Sequence, residues 1–180
     1  MNLNPIHHVK EFIAPKEANS YYLRLLSLNW KEVTWGTGRK LPRLIYRYDD
    51  DNVEVLNELI SLIEMTFDTK VKGVWCNQYR SGNDWTPEHQ DSYGSDVFTL
   101  SFGESRTCYF RNLQTKERRD FLLESGDLLY FTPEIDSTHK HCVPKTKKNN
   151  GIRISVVLFA DSSKDIPEEL LEMIRLSLSL

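Results

Sequence analysis

The chain has 180 residues, a net charge of −3 and three cysteines. That length suits a single domain with its own core. No apolar run approaches a membrane span, and Met1-Asn2-Leu3-Asn4-Pro5 lacks the basic-then-apolar order of a signal peptide. Cys76, Cys108 and Cys142 show no paired metal spacing and read as reduced thiols, which predicts an intracellular protein of cytoplasm or nucleus. The slightly acidic balance argues against an extended grip on duplex nucleic acid. It leaves room for local basic patches at Lys145, Lys147 and Lys148, and at Arg111, Lys116, Arg118 and Arg119.

In chain order, residues 5–15 read as an extended arm pinned by Ile6, Val9, Phe12 and Ile13. Pro15 suits the first turn of a helix over 16–28, with Ala18, Tyr22, Leu25 and Leu26 at helical spacing. Glu32 to Trp35 and Leu41 to Tyr48 read as strands, the second with a charged, aromatic face. Asp49 to Asn52 reads as a solvated turn that caps a second helix. The apolar periodicity of Val55, Leu56, Leu59, Ile60, Ile63 and Phe67 carries that helix to about Thr69. Short β-rich runs follow: Val71–Tyr79, Asp96–Phe102, Cys108–Asn112, Phe121–Leu123, Leu128–Phe131 and Gly151–Ala160. Strands this closely spaced predict an α+β fold built on a double-stranded β-helix (jelly roll), with the N-terminal helices packed on one sheet. The division is a single domain over 1–180. Residues 1–70 form an extension, 71–160 the jelly-roll core, and 161–180 a C-terminal helix that packs on the domain or serves as an oligomer contact.

The segment with the most chemistry is Thr86-Pro87-Glu88-His89-Gln90-Asp91. In an extended chain, side chains two apart share a face, so His89 and Asp91 can converge on one point. A distal histidine from His139-Lys140-His141, expected on the opposite side of the jelly roll, would complete a two-histidine, one-carboxylate triad. Such a triad holds non-haem Fe(II) with open positions. His139 and His141 have the same parity, and spacing alone leaves them level. A zinc hydrolase could use the same donors, but it has no need of the later Arg153, whose planar guanidinium can bind both oxygens of a carboxylate.

Together, His89-Gln90-Asp91, Asn77-Gln78-Tyr79, Ser101-Phe102-Gly103, Gly126-Asp127-Leu128, His141-Cys142-Val143-Pro144 and Arg153-x-Ser155 resemble the AlkB branch of the Fe(II)/2-oxoglutarate dioxygenases. The likeness runs from about Val9 to Phe159. It implies His141 as the distal ligand, and Fe(II), 2-oxoglutarate and O2 as cofactor and cosubstrates. Arg153 would hold the cosubstrate, with Asn77, Tyr79 and Ser155 beside it. It implies a substrate face at Arg43, Tyr46, Tyr48, Trp85 and Tyr93, and oxidative demethylation of alkylated nucleic acid, releasing formaldehyde, succinate and CO2. The weak basicity favours single strands, since extracting a base from a duplex costs a few kcal/mol. Two departures stand out. The family repeats an arginine where this chain has Phe159, so another cation takes its place or the cosubstrate binds more weakly. Repair members often carry an acidic residue where this chain has Ser92-Tyr93. The alternative functions are a hydroxylase of a protein side chain or small molecule, and a binding module without catalysis.

Overall fold

A computed structural model describes residues 6–34, 38–48, 53–91, 93–148 and 151–161. The acidic turn at Asp49–Asn52 and the expected C-terminal helix opening at Asp165 lie outside the described residues. In order, the elements are β1 (Ile6–Val9), α1 (Pro15–Leu26), β2 (Lys31–Thr34), β3 (Lys40–Arg47), α2 (Glu54–Phe67), β4 (Val71–Tyr79), β5 (Thr86–His89), β6 (Asp96–Gly103), β7 (Arg106–Asn112), β8 (Arg118–Leu123), β9 (Leu128–Phe131), α3 (Pro133–Thr138), β10 (His139–Val143) and β11 (Arg153–Ala160). None of the described helices is long and apolar enough to cross a membrane.

The strands form a seven-stranded sheet, β1-β9-β6-β11-β4-β3-β2, and a four-stranded sheet, β5-β10-β7-β8. This is the double-sheet jelly roll. Strand alternation divides the core. On β11, Ile154, Val156 and Leu158 face outward and join Leu25 of α1 and Leu56, Leu59 and Ile63 of α2 in one apolar cluster. The odd-numbered residues face the other sheet, where Val157 and Phe159 pack against a second cluster that includes Tyr79, Phe110, Phe121 and Phe131. The site opens between the sheets.

Three details differ from the sequence reading. Helix α1 stops at Leu26, where the Ser27 and Leu28 amides turn back to the carbonyls of Arg24 and Leu25. Strand β5, not among the β-rich runs read from the sequence, survives Pro87 because it lies at the edge of its sheet, where a missing N–H costs no ladder bond. Helix α3 has six residues, too few to reveal a helical period.

The arm that begins the described chain is fastened by Asp127. This carboxylate is 1% exposed. It accepts hydrogen bonds from His8 Nε2 at 2.7 Å and from the amides of Glu11 at 3.0 Å and Glu124 at 2.9 Å. Gly126 before it has φ +93°, and a Cβ there would lie 2.3 Å from the Ile13 carbonyl. Only glycine suits that approach. Burial alone would raise the Asp127 pKa, but His8 and the two amides outweigh it and hold it below the usual value. A depressed folded pKa contributes stability that is fully present above the unfolded value of about 3.9 and is lost as pH falls through the folded one. Asp127→Asn keeps the shape and loses the charge. It should cost about 2 kcal/mol and lower Tm by roughly 4–8 °C at neutral pH. Thermal melts should show the gap between variant and wild type closing in acid.

Candidate metal centre and cosubstrate pocket

His89 ends β5, Asp91 follows in the loop, and His141 lies at the centre of β10. The two histidines are register partners on neighbouring strands. The expectation that His141 comes from the opposite side is therefore corrected: one sheet supplies both imidazoles. Their ring centroids are 4.2 Å apart. Both Nε2 atoms lie 3.6 Å from oxygens of Asp91, His89 facing Oδ1 and His141 facing Oδ2. That is too long for a hydrogen bond. One donor atom from each residue falls within 4.8 Å of the others, a spacing that an ion bonded to all three would produce. His139 is absent from this group. Its ring lies near Asn112 Nδ2 (3.3 Å) and Thr138 Oγ1 (2.9 Å).

Neighbours fix the donors in place. His89 Nδ1 lies 2.9 Å from the Pro87 carbonyl, which turns Nε2 inward. His141 packs against the Phe110 and Phe131 rings, each 5.2 Å away and themselves 5.1 Å apart. The brace on the Asp91 loop has no signature in the sequence. The Gln90 side chain donates to the carbonyls of Asp136 at 2.6 Å and Ser137 at 3.1 Å, and the Asp91 amide donates to Asp136 Oδ1 at 2.8 Å. Helix α3 thus positions the carboxylate.

Electrostatics suits metal binding. Burial, then the neighbouring His89, pushes the His141 pKa down to about 4, so its imidazole is neutral at physiological pH. Burial also works against charge on His89 and Asp91. Their mutual attraction prevails, raising the first and lowering the second. A divalent cation would take over the role of the His89 proton.

Beside the triad is a cavity of about 170 Å³ whose lining includes Arg43, Asn77, Tyr79, Arg153 and Ser155. Arg153 is 1% exposed. Its Nη2 donates to Ser101 Oγ at 2.7 Å, while Nε and Nη1 have no partner among the described residues. Burial lowers its pKa, yet Tyr79, whose ring centroid is 5.2 Å from the guanidinium, favours the charge. A buried cation with two free N–H groups calls for an anion. The Asn77 carbonyl oxygen accepts from Arg43 Nε at 2.7 Å and Trp75 Nε1 at 3.0 Å, and its nitrogen donates to Ser155 Oγ at 3.3 Å. The Tyr79 hydroxyl pairs with Thr86 Oγ1 at 2.7 Å.

The substrate face needs correcting. Arg43 and Tyr93 line the cavity, but Tyr46, Tyr48 and Trp85 do not. Arg43 faces inward from β3, so residues of opposite parity on that strand must face the helices. Tyr46 packs edge-on against Trp30 at 6.2 Å, and the Tyr48 hydroxyl donates to Asn57 on α2. Thr86 points into the cavity, so its neighbour Trp85 points out, beneath Lys145 Nζ at 5.7 Å from its ring. In their place Trp75 and Phe159 line the cavity, with Tyr93 edge-on to Phe159 at 4.9 Å. Trp75 is in phase with Asn77 and Tyr79, and Phe159 with Arg153 and Ser155, so alternation contained the signal.

A family model described as the 2OG-Fe(II) oxygenase superfamily matches residues 26–180. The chain belongs to that superfamily. Fe(II), 2-oxoglutarate and O2 are the cofactor and cosubstrates of that superfamily, and the His-Asp-His group offers the nitrogens and the carboxylate that Fe(II) takes in such centres. The chain is 31% identical over 83 residues to an uncharacterized protein of Acanthamoeba polyphaga mimivirus; the match covers 43% of this chain and 44% of that protein, less than half the length of each. Its fold is similar to that of a Pseudomonas putida prolyl-4-hydroxylase, with TM-score 0.62 and 13% identity over 89% of this oxygenase and 94% of the hydroxylase chain.

Proposed function

We propose that this dioxygenase oxidises the N-methyl groups of alkylated bases in single-stranded nucleic acid. The observation carrying this reading is the aromatic rim of Trp75, Phe159 and Tyr93, since aromatic faces stack on unpaired bases. Tyr93 is 69% exposed while lining the cavity, which places it at the mouth. Arg47 lies 4.7 Å from the Trp75 ring centroid and brings a positive charge towards a backbone phosphate. The likeness of Asn77, Tyr79, Ser101 to Gly103 and Arg153 to the AlkB branch supports the same reading.

His89, Asp91 and His141 would hold Fe(II), and Arg153 the distal carboxylate of 2-oxoglutarate. The bound iron and cosubstrate supply the oxidation, in which O2 places one oxygen atom in a substrate C–H bond while 2-oxoglutarate becomes succinate and CO2. The protein's part is to position the reactants. The cavity volume lies below the range of about 300–1,000 Å³ that encloses a drug-sized ligand, so it suits the small cosubstrate. The target base presents only its methyl group, from the rim. A hydroxylated N-methyl group then leaves as formaldehyde, without a protein acid or base.

Fold likeness to a prolyl-4-hydroxylase favours a second reading, hydroxylation of a protein side chain. Succinate release with methylated oligonucleotides and with peptides separates the two. The first reading expects formaldehyde and unmodified base from the oligonucleotides. Turnover of peptides alone would overturn it. Tyr93→Ala should weaken oligonucleotide binding by about 1–3 kcal/mol, roughly 5- to 150-fold in KM, with the KM for 2-oxoglutarate nearly unchanged.

A further inference from the structure

A second guanidinium shares the cavity. Arg43 is 7% exposed, and its Nη1 is buried without a partner among the described residues. Its Nε is tied to Asn77 Oδ1, which is also held by Trp75, while the Asn77 nitrogen is engaged by Ser155. Asn77 is therefore occupied in bracing Arg43. Arg43 and Arg153 line the same cavity, the first with Nη1 and the second with Nε and Nη1 unpaired among the described residues.

Strand register sets the two arginines apart by a useful distance. Arg153 is paired across from Tyr79 on β4. On the other side of β4, Leu44 pairs with Gln78, so Arg43 comes alongside Tyr79. The two arginines thus flank one tyrosine from neighbouring strands, with Cα atoms roughly 9.5 Å apart at ordinary strand spacing. Side chains reaching inward from those positions can meet the two ends of a short dicarboxylic acid. Charge agrees with shape. Among the described residues lining this cavity, Asp91 is the single carboxylate, against two arginines. An uncompensated buried charge is costly, so the pocket requires an anion even before metal is counted.

We propose that Arg43 is a second clamp on the cosubstrate. It binds the carboxylate at the metal end while Arg153 binds the distal one, so a five-carbon dicarboxylate is held at both ends by the chain itself and binds without metal. This rests on the assignment of Arg153 above.

The test uses chelator-treated protein titrated calorimetrically with glutarate, which has both carboxylates and lacks the keto group. Wild type should bind it. Arg43→Met and Arg153→Met should each weaken binding at least tenfold, and pentanoate, with one carboxylate, should bind Arg43→Met and wild type alike. Asn77→Ala, which removes the brace and leaves the guanidinium, should weaken glutarate less than Arg43→Met does. Should the methionine variant fail to fold, Arg43→Gln, which keeps a polar group there, provides the same reading. No binding by wild type, or an Arg43 variant within twofold of wild type while Arg153→Met is impaired, overturns the second clamp alone. If the Arg153 variant also binds like wild type, the assignment of the cosubstrate pocket falls with it.

Discussion

Asp91→Ala is expected to abolish iron-dependent succinate formation, by well over 100-fold. Changes to groups that merely orient a metal ligand cost about 10- to 100-fold in metal affinity or activity, and Asp91 is the triad's only carboxylate. Its loss leaves two imidazoles, one of them packed against Phe110 and Phe131, with no triad carboxylate to offset a divalent cation. The loop itself should persist, because the bond to Asp136 comes from the Asp91 backbone amide and the neighbouring Gln90 keeps its two carbonyl acceptors. Unchanged circular dichroism with lost turnover is the predicted pair of results. Full 2-oxoglutarate turnover in the variant would place the metal elsewhere. Absent turnover in the wild type would favour the binding-module alternative.

Arg153→Met is expected to act in opposite directions on binding and on stability. Breaking a buried charge pair by removing one partner costs about 3–5 kcal/mol, so 2-oxoglutarate should bind roughly 10²- to 10⁴-fold more weakly. Without ligand the sign reverses. The guanidinium then sits 1% exposed with Nε and Nη1 unpaired among the described residues, and replacing an uncompensated buried charge by an apolar side chain is neutral or stabilising. Melts should show the ligand-free variant at least as stable as wild type, with the stabilisation that 2-oxoglutarate gives the wild type missing from the variant. A variant that is less stable without ligand and unchanged in affinity would make Arg153 a structural strut.

Much of this was legible in the sequence because it follows from chain periodicity. The runs Val71–Tyr79 and Leu128–Phe131 coincide with β4 and β9, and the apolar spacing from Val55 to Phe67 marks α2. The triad residues and Arg153 are separated along the chain but were identifiable from residue type. The errors have physical causes. Tyr46 shares β3 with Arg43 and Tyr48 directly follows it, but both have the opposite parity and turn to the helix side. Helix α3 and its hold on Gln90 and Asp91 are tertiary, made by a six-residue helix with no period to read. The pairing of His89 with His141 depends on sheet register, which residue identity does not encode.

The most direct test is a crystal of the protein with Mn(II) and 2-oxoglutarate, the metal located by its anomalous scattering. A single strong peak bonded to His89, Asp91 and His141, with the cosubstrate's far carboxylate on Arg153, is the predicted result. A peak away from those three side chains, or an Arg153 guanidinium with no carboxylate against it, would contradict the account.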